Sequence, residues 1–176
     1  EILKKKNSPA KKNNILANIY FVRSSVNDQQ VESQKELIGL SGFLKATNIN
    51  LPEEFTKFLS QKFMLGAYKQ IPASVFLVFR VNSYENAATN LLANENGILG
   101  SLLIPLAETP LARDFSEKSF KDKIVKNLHT RVMTGAGGRT IAIYGFVDNR
   151  TVIIAEDEET FIKAIAAYTA PKSIVR

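Results

Sequence analysis

The chain reads as an α+β fold: a mainly antiparallel sheet with helices packed on one face, containing two strand-strand-helix units. Three observations predict this. Short runs of β-branched and aromatic residues are bounded by turn residues, which is the hairpin signature. Amphipathic helical patterns follow two of these hairpins at once, in Phe63 to Leu103 and again in Thr140 to Tyr168. No heptad or long repeat array competes with that reading.

The first 14 residues carry Lys4, Lys5, Lys6, Lys11 and Lys12 against Glu1, a net charge of +4. They lack an apolar period and read as a basic flexible linker or tail. Residues 15–170 are expected to form a single α+β domain, and 171–176 a C-terminal tail. Ile15 to Val22 is rich in strand formers and opens the domain. Gln34 to Thr47 has the apolar content of a helix, interrupted by Gly39 and Gly42. Asn50-Leu51-Pro52-Glu53-Glu54 is a helix start, with Asn able to cap, Pro suited to the first turn and two carboxylates at the positive end of the dipole; the helix is expected to reach about Ser60.

Phe63 to Lys69 and Ser74 to Val81 then pair through Gln70 to Ala73. Asn82 or Ser83 caps a helix whose apolar face includes Tyr84, Ala87, Ala88, Leu91 and Leu92; Asn94 to Gly97 interrupts it before Ile98 to Leu103 resume the pattern. After an exposed connection with a short helix near Leu111, Phe120 to Leu128 alternates loosely and His129 to Met133 reads as a strand. Thr134 to Arg139 is a Gly-rich turn into Thr140 to Val147, which passes through Asp148-Asn149-Arg150 into Thr151 to Ala155. Glu156-Asp157 opens the last helix.

A length of 176 residues with 45% apolar content supports a real core. The absence of Cys excludes a thiol nucleophile, a disulfide framework and a Cys zinc site, and is compatible with a reducing compartment or a bacterial envelope alike. The net charge of +6 and pI near 9.5 raise the question of nucleic acid, but with +4 in the tail the remaining body is only +2. That is too weak a bias for a broad phosphate-binding face. Lysine clusters of this kind also suit an anionic lipid surface.

Each candidate for chemistry has a simpler structural explanation. Gly135-Ala136-Gly137-Gly138-Arg139-Thr140 lacks P-loop spacing and feeds a strand, so it reads as a hairpin turn. Glu156 to Glu159 sits where an acidic helix start is expected, which favours capping over cation binding. His129 is the only His, so a multi-His metal site is excluded, and no Gly-x-Ser-x-Gly elbow accompanies it. Arg80, Arg131 and Arg139 remain as contacts for an anion or a partner. No catalytic, cofactor or metal residues are assigned, and no cofactor is expected.

The segments Phe63 to Gly66, Phe79 to Ala87 and Phe120 to Phe161, with the Val147 to Ile154 turn, resemble a group of uncharacterised bacterial proteins predicted to have one membrane span, a linker and an extracytoplasmic domain. The resemblance covers roughly 14–168 and implies an anchored envelope protein; it carries no activity. The chain starts at Glu1 rather than Met and is read as a piece of a longer protein, with its membrane segment upstream. The expectation is therefore a non-enzymatic protein-interaction or scaffold domain of a membrane-anchored bacterial envelope protein, partnered by another protein or by itself. The alternative is a small-molecule-binding domain or enzyme with a site between the two units, built from the three arginines or the Glu156 to Glu159 carboxylates.

Overall fold

Two strands of this chain are apolar along nearly their whole length, Ser74–Val81 and Thr151–Ala155, and a strand with apolar side chains on both sides needs cover on both. That requirement organises the molecule. The computed structural model describes residues 4–6, 16–24, 35–68, 73–107 and 111–170. In chain order these form β1 (Lys4–Lys6), β2 (Leu16–Ser24), β3 (Lys35–Leu37), α1 (Leu40–Thr47), α2 (Glu53–Thr56), β4 (Leu59–Tyr68) and β5 (Ser74–Val81). There follow α3 (Tyr84–Ala93), α4 (Glu95–Leu103), α5 (Ala112–Glu117), β6 (Lys121–Val125), β7 (Leu128–Thr134), β8 (Thr140–Asp148), β9 (Thr151–Ala155) and α6 (Glu158–Thr169).

Six strands make the body of one antiparallel sheet in the order β4-β5-β9-β8-β7-β6. At the β4 edge β2 continues it, and β1 and β3 both pair with β2. Three residues of the expected linker, Lys4–Lys6, are therefore strand; the rest of residues 1–14, the Gln70 to Pro72 turn and the 171–176 tail lie outside the described residues.

The α+β class and the antiparallel sheet are as expected, and helices α1 to α5 cover one face. There Leu77, Phe79, Val152 and Ile154 pack with Phe43 of α1, Leu91 of α3 and Leu99 and Leu102 of α4. Helix α6 covers the opposite face, where Phe161 and Ala164 close over Phe76, Val78, Ile143, Ile153 and Ala155. Each fully buried Leu, Ile or Phe contributes roughly 1.5–3 kcal/mol through its removal from water. The two strand-strand-helix stretches thus share an order of elements, β4-β5-α3 and β8-β9-α6, while sending their helices to opposite faces.

Local departures from expectation have physical causes. The stretch 34–47 splits into β3 and α1, and the acceptor for the exposed helix start comes from β4: Gln61 Oε1 accepts from Ser41 N at 3.1 Å and from Ser41 Oγ at 2.8 Å. Pro52, not Asn50, occupies the N-cap of α2, and this helix stops at Thr56 because the chain enters β4 at Leu59. Phe58 O accepts the Asn82 N–H at 2.8 Å just there, tying the end of β5 to the start of β4. Ser83 holds the N-cap position of α3, but its hydroxyl makes no cap bond and accepts instead from Asn86 Nδ2 at 2.9 Å. The Gly-rich stretch is a turn between β7 and β8, with Gly137 and Gly138 at φ of 69° and 79° in the region that favours glycine.

Candidate functional site

Arg131, one of the three candidate arginines, lies on β7 directly opposite Tyr144 of β8, so both side chains leave the same face of the sheet, toward α4. Glu95 begins α4 and meets them. Arg131 Nε donates to Glu95 Oε1 at 2.7 Å and Nη2 to Oε2 at 2.8 Å, a two-pronged pair, while the Tyr144 hydroxyl donates to Oε1 at 2.6 Å. Arg131 Nη2 also donates to Phe120 O at 3.2 Å, and Nη1 lies 3.1 Å from Asp122 Oδ1.

The electrostatics hold Tyr144 and Arg131 each in one state. Burial, reinforced by donation to Glu95, pushes the Tyr144 phenol above its ordinary value, so it keeps its proton. Hydrogen bonding to Glu95 raises Arg131 further, against the opposing effect of its partial burial, and the guanidinium stays charged. The carboxylate of Glu95 receives three donors. This arrangement clamps the first turn of α4 to two strands. Its sequence signal was the Asn94 to Gly97 interruption, which reads as a helix restart without naming Arg131, 36 residues on, as the partner.

Arg80 and Arg139 do not join Arg131. Arg80 lies on β5 beside Thr151, exposed, on the α6 face of the sheet; Arg131 projects from the other face. Arg139 is exposed at the start of β8, its carbonyl accepting the Gly135 N–H at 2.7 Å across the Gly-rich turn, at the opposite end of the strands from Arg80. The three arginines thus occupy three separate places.

The acidic run 156–159 is distributed among structural tasks. Glu156 is buried, and its Oε2 accepts the Val75 N–H at 2.6 Å while its own N–H donates to Val75 O at 3.1 Å, closing the end of the β5–β9 pair. Asp157 is the N-cap of α6, accepting from Thr160 N at 2.8 Å and Thr160 Oγ1 at 2.9 Å. Glu158 pairs with Lys123 of β6, and Glu159 accepts from the buried Tyr68 hydroxyl at 3.1 Å. Among the described residues no three His, Asp or Glu side chains gather closely enough to hold a metal. The seam between the two strand pairs is the β5–β9 pairing itself, filled on both faces by fully buried side chains such as Leu77, Phe79, Ile153 and Ile154.

One corner of the sheet keeps apolar side chains exposed. Ile124 of β6, 67% exposed, pairs with exposed His129 of β7, and both share the face of Asp122 and Arg131. The same register brings Phe146 of β8 next along the row, where its half-buried ring meets Tyr84 of α3 edge to face at 4.9 Å. Tyr84 is itself 43% exposed. Sequence reading assigned Tyr84 to the buried face of its helix and left Ile124 and Phe146 unremarked. Comparison with protein-family models, curated proteins and solved structures finds no match to this chain, so its functional reading rests on its own residues.

Proposed function

We propose that the chain is a non-enzymatic protein-interaction domain, carried by a bacterial envelope protein whose membrane anchor lies outside this sequence. The observation that carries the proposal is a contrast in how side chains are used. The polar groups with most chemical potential are committed to holding elements together: Glu95 with Arg131 and Tyr144, Glu156 with Val75, Asp157 with Thr160. Apolar groups, in contrast, stay on the surface in the row Ile124, Phe146 and Tyr84. Exposed apolar clusters rimmed by polar residues mark interaction surfaces.

The anchored setting is supported by the resemblance and by the Lys-rich stretch of residues 4–12. Among the described residues no helix is long and apolar enough to cross a membrane, so the proposal places the span elsewhere in the parent protein. A photo-crosslinking amino acid placed singly at Tyr84, Ile124 and, as a control on the far side, Arg80 tests the interaction reading in cells making the full-length protein. A discrete adduct from Tyr84 or Ile124, absent from Arg80 and lost on adding Phe146→Ser, is the expected result. Absence of adducts from every position would overturn it.

A further inference from the structure

The same sheet treats its two ends differently. At the β4 end, further strands extend it; at the other end β6 pairs, among the described residues, with β7 alone, so no strand there takes up its outer row of backbone N–H and C=O groups. The residues of that open strand are Lys121, Asp122, Lys123, Ile124 and Val125. Lys118, Lys121, Lys123, Lys126 and Arg131 against Asp122 give residues 118–132 a net charge of +4. Subtracting this and the +4 of the first 14 residues from the total of +6 leaves −2 for all the rest, so the edge hairpin concentrates basic charge in a short stretch, whereas the +4 of residues 57–80 is spread over a longer one.

Not all of that charge is available. Arg131 is engaged by Glu95 and Asp122, Lys123 by Glu158 and Lys118 by Asp114. Lys121 and Lys126 remain exposed with no acidic side chain paired to them among the described residues, three positions before and two after Ile124. We infer that β6 accepts an extended segment of a partner protein as an added strand, one that places an apolar residue against Ile124 and an Asp or Glu within three residues on either side of it. Main-chain hydrogen bonds to the edge supply affinity, and Ile124 with the two lysines supplies selection. A residue three positions from the apolar one projects from the other face of the added strand, which is also the face of Lys121.

Charge favours this occupant over a second copy of the chain. Antiparallel self-pairing centred on Lys123 opposes the two Lys123 side chains, and centring on Asp122 opposes Asp122 to itself and Lys121 to Lys123; like charges directly opposite are destabilising. The register centred on Ile124 sets Asp122 against Lys126 but leaves both Lys121 side chains without the acidic partner that a peptide supplies. A nucleic acid could meet the lysines but has no peptide groups for the edge and nothing to cover Ile124. This inference rests on the protein-interaction reading and specifies its partner.

The test is selection of phage-displayed random nine-residue peptides on the intact chain, followed by binding of the enriched synthetic peptides. Expected are an apolar residue flanked by Asp or Glu, amide protection of residues 121–125 on binding, and affinity reduced at least tenfold by Ile124→Lys and by Lys121→Glu/Lys126→Glu, with no change from Leu92→Lys on α3, where Leu92 is exposed rather than inward. Ile124→Thr, with thermal unfolding as a check, replaces Ile124→Lys if the latter does not fold. The inference falls if no peptide is enriched, if enriched peptides still bind the Ile124 variants, if sedimentation shows the chain self-associating through β6, or if only a single-stranded oligonucleotide binds in a lysine-dependent way. Crosslinks from Tyr84 in cells with none from Ile124 would sink this inference while leaving the broader interaction reading intact.

Discussion

The stretches β4-β5-α3 and β8-β9-α6 have the same order of elements and a two-residue link from strand to helix, Asn82-Ser83 in one and Glu156-Asp157 in the other, yet their helices lie on opposite faces. The difference lies in where each strand stops. Val81, the last residue of β5, points to the face of α1 to α5, while Ala155, the last of β9, points to the α6 face. With links of equal length the helix follows its strand's final side chain. Side-chain direction alternates along a strand, so ending one residue earlier or later redirects everything that follows. The two faces are then filled unequally, five helices against one.

That inequality makes the α6 face the more sensitive to loss of a single large side chain. Phe161 is fully buried and is the chief aromatic that α6 contributes, so Phe161→Ala should cost about 3–5 kcal/mol. Leu91→Ala on α3 should cost about 2–4 kcal/mol, cushioned by the neighbouring helices. Urea unfolding measures both, and a Leu91 variant less stable than the Phe161 variant would break the proposed asymmetry.

Next in size is the clamp that seats the helical layer on the larger face. Glu95→Ala leaves the Arg131 guanidinium with Asp122 and a carbonyl, and removes the acceptor of the Tyr144 hydroxyl. A loss of about 2–4 kcal/mol follows from stranding these partly buried donors. The Tyr144→Phe change should cost about 1 kcal/mol and lose most of that cost in the Glu95→Ala background, a coupling that a double-mutant cycle reads directly.

On the smaller face, Gly145 lies beneath α6. A Cβ built there would stand 3.0 Å from Thr130 Cγ2 and 3.2 Å from both His129 O and Phe161 Cζ. Gly145→Ala should therefore destabilise by about 1–2 kcal/mol despite the gain in strand propensity. Pairing it with Phe161→Leu, which shortens the opposing ring, should recover part of the loss; full additivity of the two would show that the crowding is not shared.

How much of this was legible in the sequence depended on whether the cause was local. Asp157 could be named as a cap and the Gly137-Gly138 turn as a turn because neighbouring residues carry the whole reason. The β6–β7 turn was hidden inside Phe120 to Leu128 because Lys126 and Asn127 both adopt positive φ, 51° and 62°, without a Gly to announce it. The cap that Gln61 gives α1 and the pairing of Glu95 with Arg131 join residues distant in sequence. The choice of face was concealed for a different reason. Because β5 and β9 are buried on both sides, they lack the apolar–polar alternation from which direction is ordinarily read. The arginine candidates failed to converge because facing and position along the strand, not residue type, decide which side chains meet.

The smallest expected effect tests how the end of α6 is fastened to its own strand pair, a feature that α3 lacks in the described contacts. Tyr168 donates from its hydroxyl to Asp148 Oδ2 at 2.7 Å and lies 2.9 Å from Thr151 Oγ1, while the Arg150 N–H donates to Asp148 Oδ1 at 2.7 Å. Burial works against the charged carboxylate, but the bonds from Tyr168, the Arg150 N–H and Thr151, helped by Arg80, outweigh it and hold Asp148 below its ordinary value. A depressed folded value means that the unfolded chain binds the proton first as pH falls. The stabilisation is therefore complete above the unfolded carboxyl value of about 4 and is lost as pH drops through the lower folded value. Tyr168→Phe removes the strongest of these donors, so its cost, under about 1 kcal/mol for so exposed a pair, should appear at pH 6 and shrink toward pH 3. Tyr84→Phe at the corresponding helix of the other stretch should show no such pH dependence. Equal slopes for the two variants between pH 3 and 6 would mean that the Asp148 contact does not distinguish α6 from α3, and that strand-end direction alone separates the two stretches.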